Sequence, residues 1–411
     1  MRSTPSNPLI VRAFTALQYP NYRLWFQGQV VSLFGTWMQA TAQGFLIYQL
    51  THSAAYLGYV AFANGIAIWL FTLYGGVVAD RVSRQKLLII TQSSMMVLAF
   101  ILAALAFLKV VAPWHIIVLS FLLGLANAFD APARQSFVLE LVEREDLANA
   151  IALNSMMFNT ATALGPAAGG IVYALVGPAW CFVINGVTFI AVIIALVRMK
   201  LKPFIAPVDR KRALASVIEG LRYIRSQKIV LTIIVLISVI SMFGISFATL
   251  FPAWAVKILH GNATTNGLLQ SARGIGAFIG AVFIASLGRF TFKGKLMTIG
   301  TFAFPLMLLL FSTTRILPVA LIVLVITGAA QILIMNLANA LVQTQIADEV
   351  RGRVMSVYSL TFLGLMPIGS LIAGGVADYA GAPFAVAFGA VICLLVAGLL
   401  AILVPKLFRL E

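Results

Sequence analysis

The sequence predicts an all-α integral membrane protein of twelve transmembrane helices, built as two six-helix bundles related by a parallel pseudo-two-fold axis. Three observations carry that prediction. The 411 residues are 61% apolar and only 10% charged, with a mean hydropathy of +1.02, a composition foreign to soluble domains. Twelve long apolar runs can be drawn, and a hydrocarbon core of about 30 Å, which satisfies no backbone polar group, makes each of them helical. The chain also repeats at an offset of 209 residues, which superposes Phe34-Gly35 on Phe243-Gly244, Lys86-Leu87 on Lys295-Leu296, Asn127 on Asn336 and Gly165 on Gly374. Six spans per repeat leave both halves in one orientation, with a path between them.

Residues 1–21 contain Pro5, Pro8, Arg12 and Pro20 but no compact apolar core followed by a cleavage site, so they read as a cytoplasmic segment and not as a signal peptide. The first bundle occupies 22–198, with spans at 22–50, 53–79, 87–109, 113–137, 149–175 and 178–198. A cytoplasmic linker follows at 199–228. The second bundle occupies 229–404, with spans at 229–256, 264–288, 295–313, 316–344, 353–379 and 382–404, and residues 405–411 form a cytoplasmic tail. Within the linker, Pro203, Pro207 and the charges of Asp209 to Arg212 precede Leu214, Val217, Ile218, Leu221 and Ile224 at helical spacing. With Arg222, Arg225 and Lys228 interspersed, that pattern reads as an amphipathic helix on the inner membrane surface. It serves as a tether between the halves or as a site of regulation.

A net charge of +16 raises the question of nucleic acid. Placement answers it. With the chain ends and the even-numbered connections on one side, that side holds twenty-four Lys and Arg, against Lys109, Lys257 and Arg315 on the other. The positive-inside rule then puts both termini in the cytoplasm, and the basic excess reports topology instead of a nucleic-acid partner.

The first span has the longest polar stripe, with Gln29, Ser32, Thr36, Gln39 and Gln43 at steps of 3 and 4. Inside a bilayer such a face must meet a cavity or another helix's polar groups. Asn64 on the second span, Asn154 and Asn159 on the fifth, and Gln331, Asn336 and Asn339 on the tenth add neutral polar groups. Trp37, Phe158, Phe247 and Tyr358 offer stacking surfaces. Each of these residues is a candidate substrate contact or an interhelical hydrogen bond.

Between the second and third spans, Gly76 is followed by Asp80, Arg81, Ser83, Arg84, Gln85 and Lys86. A short charged loop of this kind needs a small residue for close helix approach, an acid to pair with neighbouring bases, and bases to hold it at the cytoplasmic surface. Asp130, near the cytoplasmic end of the fourth span, precedes Arg134 by four residues and shares a face with it. The expected partners of Asp130 are Arg81 or Arg134, in a network with Asp80 that closes the cytoplasmic side; direct proton carriage and interfacial snorkelling are the alternatives.

In the fifth span, Gly165, Pro166, Gly169 and Gly170 permit close backbone approach, and the proline frees a carbonyl, so the segment reads as a hinge or as tight packing. In the eighth span, Asn266, Gln270, Arg273 and Ala277 share one face. A charge at that depth costs about 2.5–3.5 kcal/mol on insertion scales, and no acid occupies the centre of any predicted span. Arg273 therefore calls for an anionic or strongly polar substrate group, or for carbonyl ligands. Cys181 and Cys393 have no metal-ligand spacing and read as buried apolar residues. His52, His115 and His260 fall in or beside outer loops, away from any relay or metal site.

The charged loop resembles the G-x-x-x-D-R-x-G-R-[RK] signature of the major facilitator superfamily, departing from it at Ser83 and Gln85. The second copy, around Arg289 to Lys295, has Arg289 at the position of Asp80. Gly165-Pro166 to Gly170 resembles the fifth-helix motif frequent in export-type members, with Ala161 where a glycine is expected. Asn127 to Phe137, Leu147 to Ser155, Phe158-Asn159 and Tyr19 to Trp25 are similar to the branch that includes the enterobactin exporter and related drug-efflux proteins. Relatives often carry a base just before the Gly-Pro, where this chain has Thr160, Ala161 and Thr162.

The resemblance implies a monomeric, cofactor-free secondary transporter of the bacterial inner membrane. It would export a siderophore, drug or metabolite by alternating access, driven by the proton gradient. An uptake symporter and a lipid or lysophospholipid flippase share the fold. No G-x-x-x-x-G-K-[ST] phosphate loop occurs, which disfavours an ATP-driven pump, and no nucleophile, base and orienter constellation points to an enzyme.

Overall fold

A computed structural model describes residues 14–201, 213–288 and 292–405. Residues 1–13, most of the proline-rich part of the linker, Arg289 and the chain's last residues lie outside them, as do the side chains of Leu214 and Val217.

Six helices form the first half: α1 (Pro20–Thr51), α2 (Ala54–Ala79), α3 (Arg84–Phe107), α4 (Pro113–Leu141), α5 (Leu147–Val176) and α6 (Pro178–Arg198). The linker helix α7 (Ala213–Ser226) leads into α8 (Lys228–Ile258), then α9 (Ala263–Ser286), α10 (Lys293–Thr313), α11 (Leu317–Gln345), α12 (Asp348–Ala380) and α13 (Ala382–Leu403). Among the described residues ten of these helices are long and apolar enough to cross a membrane. The two remaining long helices, α1 and α5, fall short because of the polar stripe of α1 and the Asn, Thr and Gly positions of α5. Those residues turn inward, where lipid does not price them. Helix starts follow local chemistry, with Pro at the first turn of α1, α4, α6, α11 and α13, where its missing N–H is not needed.

The packing repeats with the sequence. In the first half α2 packs on α4, α3 on α6, and α1 on both α5 and α6. The second half matches it with α9 on α11, α10 on α13, and α8 on both α12 and α13. The superposed pair Gly35 and Gly244 keeps its role, whereas Gly165 packs on Trp37 of α1 and Gly374 on Ala54 of α2. A Cβ on Gly35 would lie 2.7 Å from the Asn185 amide of α6, and one on Gly244 3.3 Å from the Cys393 sulfur of α13. One departure is α8, which runs through a π-helical turn at Ile240–Gly244 and a 3-10 stretch at Ile245–Leu250 in its middle and ends in a second π-helical turn at Trp254–Ile258. Such interruptions mark strain or a place to bend.

Two helix pairs join the halves, α5 with α9 and α2 with α12. Both are lined by small residues, which let backbones touch without a Cβ between them. A Cβ on Gly170 would lie 2.4 Å from the Ala263 carbonyl oxygen, and one on Gly58 2.8 Å from that of Ser370. These contacts lie toward the face opposite the basic residues. Linker helix α7 packs on the base-rich end of α12, where Glu219 pairs with Arg353 at 2.9 Å. Its Ile218 and Leu221 stay exposed, as an amphipathic surface helix requires.

Candidate functional site

A cavity of about 390 Å³ lies between the halves, walled by α1, α2, α4 and α6 of the first half and by Ala248, Thr249, Pro252, Gln270 and Met366 of the second. The stripe on α1 supplies its floor, because Thr36, Gln39 and Gln43 sit one turn apart on a single face. Asn185 donates to the Gln39 side-chain oxygen at 2.7 Å, and Gln43 donates to the Ser120 hydroxyl at 2.5 Å. The Ser120 hydroxyl donates in turn to the Ile116 carbonyl at 2.6 Å, while Asn64 donates to the Ser120 carbonyl at 3.0 Å. From the other half, the Gln270 oxygen accepts from Thr41 at 3.3 Å. Gln39, Gln43 and Asn64 thus each commit one polar atom to the fold, and the other is left to face a ligand. Six candidates from the sequence, Thr36, Trp37, Gln39, Gln43, Asn64 and Gln270, meet here. Asn185 and Ser120 were missed. The available signal for Asn185 was a lone amide in one of the most apolar helices, since polar groups at that depth are there for a reason.

A second cavity of about 330 Å³ opens toward the base-rich face between α1, α4 and α5. Asn154 and Phe158 line it with Trp25, Arg134 and Gln135. Phe158 meets Trp37 edge to face, with ring centroids 5.9 Å apart. Because Trp37 lines the central cavity and Phe158 the second, this aromatic pair stands between the two.

Of the expected charge network, the Asp130–Arg134 pair forms and the link to Asp80 and Arg81 does not. Asp130 is fully buried and takes Arg134 at 2.8 Å, with Thr91 donating at 2.9 Å and Gln92 at 2.8 Å. The helical spacing of four is what brings Asp130 to Arg134 and not to Arg81. Asp80 instead pairs with Arg84 at 3.7 Å, and Arg84 also grips Glu140 of α4. Asp80 and Asp130 therefore belong to two separate ion clusters, not to one network through Asp80, Arg81 and Asp130; Arg81 and Lys86 are exposed. The close-approach glycine is also corrected. Gly76 has open space around it, whereas a Cβ on its neighbour Gly75 would lie 2.1 Å from the Ala128 carbonyl oxygen.

In α5, Gly165 packs on Trp37 and Gly169 on Met38, both of α1. Gly170 and the Pro166 carbonyl instead meet α9, at Ala263 and Gly267. Arg273 lines neither cavity; one of its terminal nitrogens donates to the Gln331 side-chain oxygen of α11 at 3.2 Å, and its Nε has no hydrogen-bond partner among the described residues. Asn336 and Asn339 also lie outside both cavities, with Gln343 donating to Asn339. Phe247 is absorbed into an aromatic core with Phe251 and Phe311, and Tyr358 donates to the Met335 carbonyl at 3.4 Å. Cys181 and Cys393 are buried free thiols, as their surroundings in the sequence indicate. Outside the spans, the Tyr19 hydroxyl donates to Asp146 at 2.8 Å, and that bond to an acid raises its pKa.

The sequence pattern of the transmembrane secretion effector family matches residues 11–410. The staphyloferrin A transporter of Staphylococcus aureus is 23% identical over 363 residues, 87% of this chain and 90% of its own. The enterobactin exporter EntS of Citrobacter koseri is 26% identical over 362 residues, 87% of this chain and 85% of its own. A solved POT family transporter in complex with 5-aminolevulinic acid superposes with a TM-score of 0.76 at 12% identity, covering 94% of this chain and 96% of that one. At that identity the superposition speaks to the fold alone.

Proposed function

The chain belongs to the transmembrane secretion effector family of major facilitator transporters, and from that premise we propose that it exports a mid-sized amphipathic organic compound across the bacterial inner membrane. It is a multi-pass transporter of small molecules, and its relatives are transporters, not enzymes. The reading takes the cargo to be a siderophore, drug or metabolite and the base-rich face to be cytoplasmic, with both termini there. The observation that carries it is the central cavity itself. Neutral amides and an aromatic wall at the junction of two joined bundles suit a ligand with several hydrogen-bonding groups on an apolar frame.

The inter-half contacts between α2 and α12 and between α5 and α9 lie toward the face opposite the bases, which supports an inward-open state ready to load from the cytoplasm. Rocking of the two bundles about the cavity then gives alternating access. Proton antiport needs a carboxylate that can change its charge inside the protein. Asp130 is the one buried acid among the described residues, and we assign it that part.

The test is flux in proteoliposomes under a pH gradient, with enterobactin, staphyloferrin A and a panel of antibiotics as cargo. Export by antiport requires substrate-dependent proton movement in the opposite direction, lost in Asp130→Asn. Flux running the same way as the protons would replace export with uptake. Lipid movement between leaflets with no solute flux would make the protein a flippase.

A further inference from the structure

The outward face of α7 is unpartnered among the described residues, and transport through the central cavity makes no use of it. Gly220 and Ile224 seat the helix on the protein: a Cβ on Gly220 would lie 2.6 Å from the Arg353 carbonyl oxygen of α12, and Ile224 is buried. Helical geometry then turns Ile218, Leu221, Arg222 and Arg225, at i, i+3, i+4 and i+7, away from α12. All four are exposed, Ile218 by 54% and Leu221 by 46%. Spacing alone would pair Arg222 with Glu219, the one acid of α7, but Glu219 is drawn to Arg353 at 2.9 Å. Arg222 and Arg225 are left without an ion-pair partner among the described residues. The level of this face is fixed as well. Gln227 alone separates α7 from α8, whose apolar span starts at Lys228, so the face stands at the bilayer boundary.

We propose that this face is a docking surface for the headgroups of anionic phospholipids, which hold α7, and through the Glu219–Arg353 pair the base-rich end of α12, at the membrane surface. The aliphatic pair reaches past the headgroups to the acyl boundary, while the two guanidiniums stay at the level of the phosphates and donate to their oxygens. Net negative lipids are selected because no free acid on α7 offsets the arginines, whereas a zwitterionic headgroup brings its own compensating cation. A soluble acidic partner would satisfy the arginines too, but the one-residue tether to a membrane span keeps lipid beside them at all times.

The test places a bimane fluorophore on Ser226→Cys, an exposed position at the end of α7, in the full chain; Cys181 and Cys393 are buried and stay unlabelled. Nanodiscs of phosphatidylcholine carry a small fraction of lipid with a nitroxide quencher near the headgroup, either phosphatidylglycerol or phosphatidylcholine. The phosphatidylglycerol quencher should associate more strongly by about fivefold for each arginine engaged, and high salt should shrink that preference. Arg222→Gln/Arg225→Gln should bring the two quenchers to parity, while Arg222→Lys/Arg225→Lys keeps most of the difference. Ile218→Ser/Leu221→Ser should weaken quenching by both lipids. Thermal transitions establish that each variant is folded. The proposal is overturned if the two lipids quench the wild type alike, or if the preference survives in Arg222→Gln/Arg225→Gln. It falls if neither lipid quenches, which would turn the face toward water, a second copy or a cytosolic partner. It also falls if Arg144→Gln, at an exposed base of the first half, lowers the preference as much as the paired change, because the general charge of that face would then be the cause. Both leaflets of a nanodisc have one composition, so these outcomes stand apart from the direction of transport and the nature of the cargo.

Discussion

The carboxylate of Asp378, in the last turn of α12, accepts the backbone N–H of Ala54 at 2.9 Å, so an acid of one half caps the first turn of α2 in the other. A helix N-terminus has free donors and a positive dipole end, and a carboxylate satisfies both. The bond ties the two halves together at the face opposite the bases, so under the alternating-access reading proposed above it would favour the state closed at that face.

Asp378→Ala should shift the balance toward the state open at that face. A lost cap is worth about 1 kcal/mol, or roughly a fivefold change in population. Spin labels on cysteines placed at Leu50 and Ile316, both exposed, can read the separation of the halves, because the native thiols are buried. A distance distribution unchanged by the substitution would show that the glycine contacts alone hold the gate.

Gly75 and Gly76 should respond oppositely to alanine. The new Cβ at Gly75 would strike the Ala128 carbonyl and force α2 away from α4, at a cost of about 1–3 kcal/mol. At Gly76 it meets nothing within 4 Å, and alanine's better helix propensity makes the change neutral or favourable. Thermal stability of the two purified variants decides it; equal loss in both would contradict the packing described for this turn.

The all-helical membrane fold and the internal repeat were legible because they follow from hydropathy and spacing, which a sequence displays directly; of the twelve expected spans, ten are long and apolar enough among the described residues. The α1 stripe was legible for the same reason, since five polar residues at steps of 3 and 4 have one geometric meaning. Partner choice was not. Arg273 and Arg134 both looked like cations in need of an anion, and only packing shows that Gln331 takes the first while the second lines a cavity. Gly75 and Gly76 are adjacent and chemically identical; which of them faces α4 depends on the rotation of α2. Asn185 had only Thr188 beside it as a polar neighbour in its own helix, so nothing local linked it to Gln39 across 146 positions.

That Gln39–Asn185 bond, at 2.7 Å, should be worth a measurable coupling. In membrane proteins such bonds average about 0.6 kcal/mol, so the double variant Gln39→Leu/Asn185→Leu should lose less stability than the two single changes added together. The same variants should raise the KM for cargo, because both side chains line the cavity. Additive stabilities with unchanged KM would mean that neither amide couples to its partner nor meets substrate.

Asp130 and Arg134 form an unequal pair, and the inequality is testable. Arg134→Leu leaves a fully buried carboxylate with only Thr91 and Gln92 as donors. Breaking a buried pair from that side costs about 3–5 kcal/mol. Asp130→Leu is milder, because Arg134 is already 29% exposed and its long stem can carry the charge to the base-rich surface. Removing both should restore most of what the Arg134 change loses, since no buried charge is then left alone. Folded yield and thermal midpoint of the three variants give the order. If Asp130→Leu proves the more damaging, the carboxylate is holding α3 to α4 through Thr91 and Gln92, and the ion pair is secondary to those two hydrogen bonds.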